Sequence, residues 1–415
     1  MSKQQAVKRV GLLIGTLEVG GAERMALAVA RGLLDQGFDV RFYCLDPEGD
    51  MPMPGTPEQQ QELLDRLHII NQTLATSTFS KVLALPLSWL RLRKRVKADG
   101  VELMISFMER ANILNLLGGY RIPKIISIRK HLGMALKDKD PLKRSLVFWG
   151  YRLLLTRANV INLNSHEAAD DLRQRFPAVA DTSVIHNFYD EQMLQRARQS
   201  LPEESLRRLQ GTVIMTCGRL VKVKRQDALL RAFSLLAERF PEARLVIVGE
   251  GAERAELTAL AERLGLTQRV VFAGFQANPY AWIQHADVFV LSSKAEGFPN
   301  ALLEAMALAR PVVSSDCRSG PRELLAPDTA PLEKTQTMDQ AAYGLLTASM
   351  EERPHYGTQV SPQEQHLADA IGLLLSDSTQ RQQYAEKAQQ RAQQFSRQNI
   401  IDQWVSLVSD HLKRG

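Results

Sequence analysis

The sequence predicts an α/β fold made of two doubly wound domains, each with a mostly parallel sheet. Short apolar segments alternate with longer helical ones, which is typical of strands joined by crossover helices. The alternation restarts after a charged stretch that follows Val184, so the same architecture is expected twice. The 415 residues suffice for two domains of ordinary size, and 45% hydrophobic with 24% charged residues is typical of a soluble globular enzyme.

The first domain begins with an apolar strand, a glycine-containing loop and a helix built from good helix formers. A second strand follows a glycine that ends the helix, and three later apolar runs are read as further strands of the same sheet. The expected strands are Arg9–Ile14, Gly37–Cys44, Val101–Ser106, Lys124–Ile128 and Val160–Leu163, and the first helix is expected over Ala22–Gln36.

The second domain follows a charged helical segment over Glu191–Gln210. Its strands are expected at Val213–Thr216, Arg244–Val248, Val270–Phe272, Val288–Leu291 and Pro311–Ser314, and its helices at Gln226–Arg239, Glu253–Leu264, Pro279–His285 and Ala301–Ala309. Pro327–Pro362 is polar and contains proline and glycine, so it is interpreted as an irregular insertion. Thr379–Lys413 is predicted to form a long helical stretch.

The three cysteines, Cys44, Cys217 and Cys317, are far apart and odd in number. They indicate buried thiols of a reducing compartment, with neither a disulfide framework nor metal-ligand spacing. The N-terminus is polar and charged, unlike a signal peptide, and no apolar run reaches the length of a membrane span. The expected location is therefore cytoplasmic.

The formal charge of +6 is concentrated between Lys81 and Arg157. Leu83–Lys97 and Lys137–Arg157 both mix basic residues with Trp, Phe or Leu, which suits peripheral binding to an anionic membrane surface at the inner face of the plasma membrane. Two ordinary surface helices packed on a sheet would give the same pattern. Nucleic acid is not favoured as a partner, because no recognised binding motif accompanies the charge.

Two glutamates flank the start of one predicted helix in the second domain. Glu296 lies in the loop after strand Val288–Leu291, and Glu304 lies about one turn into the following helix. Ligands of open α/β sheets bind at this end of the strands, and a helix N-terminus there offers free N–H groups to an anion. Two carboxylates beside an anion site indicate a ligand that also has hydroxyls, such as a ribose and a hexose.

A basic loop, Gly218–Arg225, follows the first strand of the same domain. Arg219 can hold phosphate oxygens bidentately, and Lys224 adds a compact charge. The alternative is a solvated basic loop without function. Together with the Glu296 loop, the basic loop predicts a site for a diphosphate and a sugar.

Three weaker signals lie in the first domain. Gly20 and Gly21 open the first helix, either to admit a ligand or only to form a tight loop, and they do not form a G-x-G-x-x-G dinucleotide motif. His131 follows a predicted strand and could face a ligand, although a lone histidine is more often structural. Asp138 and Asp140 form an acid pair in a charged loop, where a metal site is not favoured.

Several of these segments together resemble glycosyltransferase family 4. The resemblance spans about residues 8 to 395, and the glutamate segment is its most specific part. The resembling segments are Gly20-Gly21-Ala22-Glu23, Asn164-Ser165, Val184-Ile185-His186-Asn187, Gly218-Arg219-Leu220 with Lys224, Val248-Gly249-Glu250-Gly251, Glu296-Gly297-Phe298-Pro299-Asn300 with Glu304, Arg310–Asp316 and Gly320-Pro321-Arg322-Glu323.

The resemblance implies a GT-B architecture, with two Rossmann-like domains facing across a cleft. It implies an acceptor-binding domain over residues 1–195 and a nucleotide-sugar-binding domain over 196–390. Residues 391–415 would be a helix that crosses back onto the first domain. It also implies a retaining glycosyltransferase that uses a nucleotide sugar, most commonly UDP-linked, without a metal or other cofactor.

The family's site residues transfer by position. Arg219 and Lys224 would neutralise the diphosphate, with Gly218 beside them, and Glu304 would hold the ribose. Glu296 would hold the donor sugar, and the backbone of Gly297, Phe298, Pro299, Asn300 and Ala301 would lie near sugar and phosphate. Gly20 and Gly21 would approach the diphosphate, and His131 would meet the sugar.

The segment Met108-Glu109-Arg110-Ala111-Asn112, with Ser127-Ile128-Arg129, looks closest to members that extend lipid-linked or cell-surface glycans with hexose or N-acetylhexosamine donors. The expected partners are therefore a nucleotide sugar and a glycan or lipid-linked acceptor. Two alternatives stay open. One is a nucleotide-sugar epimerase or hydrolase on a similar fold, and the other is a non-catalytic nucleotide-sugar-binding subunit.

Overall fold

The computed structural model describes residues 8–18, 20–49, 53–71, 85–129, 133, 141–179, 181–350 and 355–414. His131, Asp138 and Asp140 lie outside these residues, as do parts of both basic segments. The chain divides into two compact units. The first comprises the residues up to Asn187 together with those from Gln398 onward, and the second is Phe188–Arg397.

The unit boundaries differ from the expected 195/196 and 390/391. Tyr189 and Met193 belong to the apolar core of the second unit, so the chain enters that unit at Phe188. Ala392 and Phe395 belong to the same core, so the chain leaves the unit only after Arg397. Both boundaries are therefore set by where apolar side chains are buried.

The first unit contains a seven-stranded parallel sheet in the order β3-β2-β1-β4-β5-β6-β7. This is the Rossmann order, with its topological switch point between β1 and β4. Its strands are β1 (Arg9–Ile14), β2 (Asp39–Cys44), β3 (Leu67–Ile69), β4 (Leu103–Phe107), β5 (Lys124–Ile128), β6 (Val160–Leu163) and β7 (Asp181–Val184). Its helices are α1 (Gly21–Asp35), α2 (Pro57–Asp65), α3 (Leu85–Ala98), α4 (Glu109–Leu117), α5 (Pro141–Leu155) and α6 (His166–Arg175).

The second unit repeats the arrangement in the order β10-β9-β8-β11-β12-β14-β13. Every pairing is parallel except that of β13 with β14. Its strands are β8 (Thr212–Cys217), β9 (Ala243–Val248), β10 (Val270–Gly274), β11 (Val288–Leu291), β12 (Val312–Ser315), β13 (Met338–Ala341) and β14 (Gly344–Thr347). Its helices are α7 (Gln192–Ala197), α8 (Glu203–Arg208), α9 (Gln226–Arg239), α10 (Arg254–Arg263), α11 (Pro279–Ile283), α12 (Asn300–Ala307), α13 (Pro321–Leu325), α14 (Pro362–Ser376) and α15 (Ser378–Ala392).

The interpretation of Pro327–Pro362 as an irregular insertion is wrong in part. The segment contains β13 and β14, which form an antiparallel hairpin, and β14 extends the sheet by pairing with β12. All four residues of β14 are buried. A run of four residues is a weak signal in a sequence, but it suffices for a short strand that pairs with the neighbouring β12.

The last helix, α16 (Arg397–Arg414), groups with the first unit from Gln398 onward. Its Trp404 is fully buried, with its ring 5.4 Å from that of Phe107. Gly32 of α1 gives the helix room, because a Cβ at this glycine would lie 2.3 Å from Cγ2 of Ile401. A helix break separates α15 from α16 within the expected single stretch of Thr379–Lys413. Within the described residues, no helix has the length and apolar character needed to cross a membrane.

Candidate active site at the switch point of the second sheet

Two loops meet at the carboxyl edge of the second sheet, where β8 and β11 are neighbours. The chain reverses its direction of winding at this pair of strands, which is where open α/β sheets form a ligand crevice. The loop after β8 is the basic loop, Gly218–Arg225, and the loop after β11 carries Glu296. The topology thus brings together the two segments that the sequence singled out.

Lys224 and Glu296 form an ion pair between these loops. The Nζ of Lys224 lies 2.7 Å from Oε1 and 2.9 Å from Oε2 of Glu296. Ser293 Oγ donates a second hydrogen bond to the same Oε1, at 2.5 Å. The Glu296 side chain is 9% exposed and that of Lys224 is 23% exposed. A largely buried carboxylate is therefore held in place by a cation and a hydroxyl.

Backbone contacts fix the two loops against each other. Ser292 Oγ donates to the carbonyl of Lys224 at 2.9 Å, and the amide of Lys294 donates to the carbonyl of Val223 at 2.8 Å. On the other side, the amide of Glu296 donates to the carbonyl of Arg318 at 3.0 Å. All three bonds have a main-chain acceptor and two have a main-chain donor, so the positions of the loops depend little on side-chain rotamers.

Glycines let the basic loop lie directly on the turn after β9. A Cβ at Gly249 would lie 2.0 Å from the carbonyl oxygen of Gly218, and the φ of Gly249 is +139°. A Cβ at Gly251 would lie 2.3 Å from the carbonyl oxygen of Leu220. Close packing of the backbone therefore requires glycine at positions 249 and 251.

Glu304 faces the end of β8 from α12. The hydroxyl of Tyr280 donates to Glu304 Oε1 at 3.5 Å. Burial raises the pKa of the Cys217 thiol to about 12, and the charge of Glu304 adds to this while Lys224 opposes it. Cys217 therefore stays a neutral thiol between the two charged groups and offers no nucleophile to the site.

The pKa of the Cys317 thiol responds to its burial and to the charge of Glu296. Its pKa is raised by burial first and then by the charge of Glu296, against the effects of Lys334 and Lys224. Lys224 and Glu296 are thus paired directly, and Glu304 lies on α12, the helix that follows the Glu296 loop.

A buried ionic network anchors the basic loop from behind. Arg225 has a left-handed backbone, with φ 52°, and its side chain forks onto Asp227 while Nη1 donates to the carbonyl of Met350 at 2.9 Å. Asp227 also binds Arg231, which binds Glu364 at 2.6 Å. Burial alone would raise the pKa of Asp227, but hydrogen bonds and charge from Arg225 and Arg231 lower it overall.

Sequence reasoning missed this network, whose members are spread along the chain between Arg225 and Glu364. Two local signals exist: the i,i+4 spacing of Asp227 and Arg231 on α9, and the capping box of α14, in which the Ser361 amide donates to Glu364 Oε2 at 2.8 Å.

The two resembling segments that follow the glutamate segment, Arg310–Asp316 and Gly320–Glu323, have a structural role. Arg322 binds the buried Asp316 through Nη2 at 2.6 Å, and the Thr335 amide donates to the same carboxylate at 2.8 Å. Gly320, with φ +102°, lies against Pro299, since its Cβ would come within 2.4 Å of the proline Cδ. These contacts hold the loop that carries Glu296 from the β12 side.

The remaining predicted residues of the second unit differ in exposure. The Arg219 side chain is exposed and has no hydrogen-bond or ion-pair partner within the described part of the chain. Phe298 is buried, with its ring 6.0 Å from that of Phe395, so only its backbone can face a ligand. Gly297, Asn300 and Ala301 are partly exposed around the start of α12.

The predicted glycines of the first unit follow β1 at the equivalent switch point. Gly20 is the N-cap of α1, with Gly21 as its first residue. The Glu23 side chain folds back over Gly20, where a Cβ would meet its Oε2 at 2.2 Å, and burial raises the pKa of Glu23. The structure does not describe His131.

Two family models match the chain and together cover most of it. One is described as glycosyl transferases group 1 and matches residues 197–391, and the other as Glycosyltransferase Family 4 and matches residues 19–192. The boundary between the two matches lies close to the division between the two units.

Relatives and solved structures agree with these matches. A Campylobacter jejuni N-acetylgalactosamine-N,N'-diacetylbacillosaminyl-diphospho-undecaprenol 4-alpha-N-acetylgalactosaminyltransferase is 26% identical over 95% of this chain and 97% of its own length. An uncharacterized glycosyltransferase of Methanocaldococcus jannaschii is 29% identical over 65% of this chain and 68% of its own.

The solved structure of HepE from Anabaena, in complex with UDP, has a TM-score of 0.74 and 20% identity. That alignment covers 97% of this chain and 100% of HepE. This chain is therefore a glycosyltransferase similar to those of family 4, and it has the GT-B fold.

Proposed function

We propose that this glycosyltransferase moves a hexose or N-acetylhexosamine from a UDP-sugar to a lipid-linked or cell-surface glycan, with retention of configuration and without a metal. The observation that carries the proposal is the Lys224–Glu296 pair at the switch point. One member suits a diphosphate and the other suits sugar hydroxyls. The named activity of the C. jejuni relative and the UDP in the HepE complex support the acceptor and donor classes.

Each residue then has a role that follows from its charge and place. Lys224 and Arg219 neutralise the diphosphate as negative charge develops on the leaving group, so preorganised cations do the work of a metal. Glu296 accepts hydrogen bonds from the donor sugar, and Glu304 from the ribose. Gly218 and the backbone of Gly297–Ala301 border the donor. Gly20, Gly21 and His131 also contact the donor in this proposal.

The pairing of Lys224 with Glu296 implies an exchange of partners on donor binding. Without donor, each group neutralises the other, which keeps a largely buried carboxylate from being left unpaired. With donor, the ammonium moves to the diphosphate and the carboxylate accepts sugar hydroxyls. Retention needs no protein nucleophile if the acceptor attacks from the leaving-group face and a donor phosphate oxygen takes its proton.

Transfer assays test this proposal directly. With a UDP-sugar and a lipid-linked glycan acceptor, we expect transfer that persists in EDTA and a product with the anomeric configuration of the donor, read by NMR. Glu296→Gln should lower kcat by about 10²-fold or more, because it removes a charged acceptor used in the transition state. The same variant should bind UDP at least as tightly as the wild type, since Lys224 no longer has a competing carboxylate.

Controls separate the alternatives. Donor turnover without acceptor would indicate a hydrolase or epimerase, and UDP-sugar binding without turnover on any acceptor would indicate a binding subunit. Loss of activity in EDTA that added divalent metal restores would overturn metal independence. Inversion at the transferred sugar would overturn the retaining mechanism.

Two exposed helix faces of the first unit support the proposed membrane contact. On α3, Leu87 and Leu90 lie in line with Lys94 and Lys97 at helical spacing, and all four are exposed. On α5, Trp149 is 54% exposed and Leu153 is 69% exposed. Apolar side chains beside cations suit the interface of an anionic bilayer.

We expect co-sedimentation with phosphatidylglycerol vesicles that weakens as salt is raised, because surface charge attraction is screened. Replacing Trp149 and Leu153 together by serine should reduce the bound fraction several-fold. Leu332→Ser is the matched control, since Leu332 is 50% exposed in the second unit. Equal binding of wild type and the double variant, or binding to neutral vesicles alone, would contradict the proposal.

A further inference from the structure

A cavity of about 450 Å³ lies wholly within the first unit, at the carboxyl edge of its sheet. It opens beside the switch point, with Gly15 after β1 and Met108 after β4 among its lining residues. Most of its wall is apolar, including Ile113, Leu116, Ile126, Ile128 and Leu154. A cavity with such walls favours a ligand with an apolar body.

Arg129 lines this cavity directly after β5. Its Nη1 donates to the carbonyl of Ile185 at 3.3 Å, while its buried Nε and Nη2 have no hydrogen-bond partner among the described residues. Its guanidinium carbon lies 5.5 Å from the ring of Phe107 and 6.0 Å from that of Trp404. Burial lowers the pKa of Arg129 to about 9. Within the described ranges, no carboxylate forms an ion pair with it.

Arg110 lines the same cavity, and the same edge of its guanidinium has no partner among the described residues. Its Nη1 binds the buried Asp46 at 2.5 Å, and Asn71 supports that carboxylate at 2.8 Å. Its buried Nε and Nη2 have no partner among the described residues. Nε and Nη2 carry the two parallel N–H bonds that bind a carboxylate or phosphate bidentately. Two arginines that line one cavity therefore both have a buried oxyanion-binding edge without a hydrogen-bond partner among the described residues.

Arg129 is the arginine of the cavity lining that has no ion-pair partner among the described residues. Asp46 neutralises Arg110, and the lining carboxylate of Glu109 accepts a hydrogen bond from Tyr151 at 2.8 Å. Met108, between β4 and α4, has φ 72° and ψ 162°, a conformation that non-glycine residues rarely adopt. Such strained residues concentrate at ligand sites. The strain and the unpaired guanidinium thus occur at one place.

We propose that this cavity binds an oxyanion group attached to an apolar body, with Arg129 as its ion-pair partner and Arg110 as a second bidentate donor. The bound molecule is the acceptor, so this inference rests on the proposed glycosyltransferase function and specifies the acceptor as anionic. The phosphate of an isoprenoid lipid and the carboxylate of an acidic glycoside share this chemistry. An oxyanion would satisfy donors that are otherwise buried without partners, which is where its affinity would come from.

Calorimetry with four probes tests the inference on the full chain. We expect farnesyl phosphate to bind at least tenfold more tightly than farnesol and inorganic phosphate, since neither supplies both the anion and the apolar body. Octyl glucuronide is the fourth probe, and tighter binding of this compound than of farnesyl phosphate would assign the oxyanion to a carboxylate. Equal binding of farnesol and farnesyl phosphate would overturn the proposal.

Variants assign the effect to the two arginines. Arg129→Gln should weaken the binding of farnesyl phosphate at least tenfold, and Arg110→Gln should weaken it less. Arg129→Lys should keep part of the affinity that Arg129→Gln loses. Arg121→Gln is the control, because Arg121 is an exposed arginine just before the opposite end of β5. Wild-type binding by Arg129→Gln would overturn the assignment.

Stability and nucleotide binding distinguish this role from a structural one. Arg129→Gln should unfold at the wild-type temperature or above, because it removes a buried charge that has no ion-pair partner among the described residues. A large drop in its unfolding temperature would indicate a structural role instead. UDP binding should be unchanged, so loss of farnesyl phosphate binding alone would leave the proposed donor chemistry standing.

Discussion

Lys224→Ala is expected to lower kcat about 10²- to 10³-fold, which is the typical effect of removing one preorganised group that stabilises transition-state charge. Two effects act in the same direction. The variant removes a cation from the proposed diphosphate site, and it leaves Glu296 as a largely buried negative charge beside the leaving group. The measurement is the steady-state transfer rate with saturating UDP-sugar.

Lys222→Ala provides a matched control from the same turn. Lys222 and Lys224 both lie in the short 3-10 helix after Val221, but Lys222 is exposed. We expect its replacement to change kcat less than about twofold, because an exposed charge contributes little in water. If both variants lost activity equally, the general charge of the loop would matter and the specific placement of Lys224 would not.

The double variant Lys224→Ala/Glu296→Gln separates charge neutralisation from catalysis. If Lys224 served only to neutralise Glu296, the double variant would bind UDP and transfer sugar as well as Glu296→Gln alone. We expect UDP affinity to recover in part. We expect kcat to stay at the level of the less active single variant, because both groups act in one step. Full recovery of transfer would contradict the proposed role of Lys224.

The sequence predicted the chemistry-bearing loops well because they follow strands that periodicity identifies. The strand Val288–Leu291 and the helix Gln226–Arg239 are confirmed residue by residue. Once both flanking strands were assigned to one parallel sheet, Lys224 and Glu296 had to lie at the same edge. Their direct contact at 2.7 Å could not be predicted, because it depends on how each loop turns after its strand.

The elements that were missed are those stabilised by distant partners. The strand Gly344–Thr347 forms because it pairs with β12 and the hairpin partner β13, not because of its own length. Arg129 and Arg110 were part of a resembling segment, but whether their guanidinium edges find partners depends on which acceptors the fold places nearby. The role of a single arginine can be recognised only after its packing partners are known.

Arg231→Met is expected to destabilise the second unit by about 3–5 kcal/mol, the usual cost of breaking a buried ion pair from one side. Arg231 is fully buried and bridges Asp227 to Glu364, so its loss leaves the buried Glu364 carboxylate without a cation. Hydrogen–deuterium exchange at the amides of β8 and β9 under increasing urea measures this for the second unit alone. A single global transition would be harder to interpret in a chain of two units.

Arg239→Met is the control on the same helix. Arg239 is exposed at its last turn, so its replacement should lower the free energy of unfolding by less than about 0.5 kcal/mol.

The network also bears on catalysis, since Arg225 follows Lys224 directly and is held by Asp227. If Asp227 is released from Arg231, the basic loop loses a rigid anchor and Lys224 its fixed position. We therefore expect Arg231→Met to lower kcat at temperatures where it is still folded. A folded Arg231→Met variant with wild-type kcat would limit the network to a role in stability.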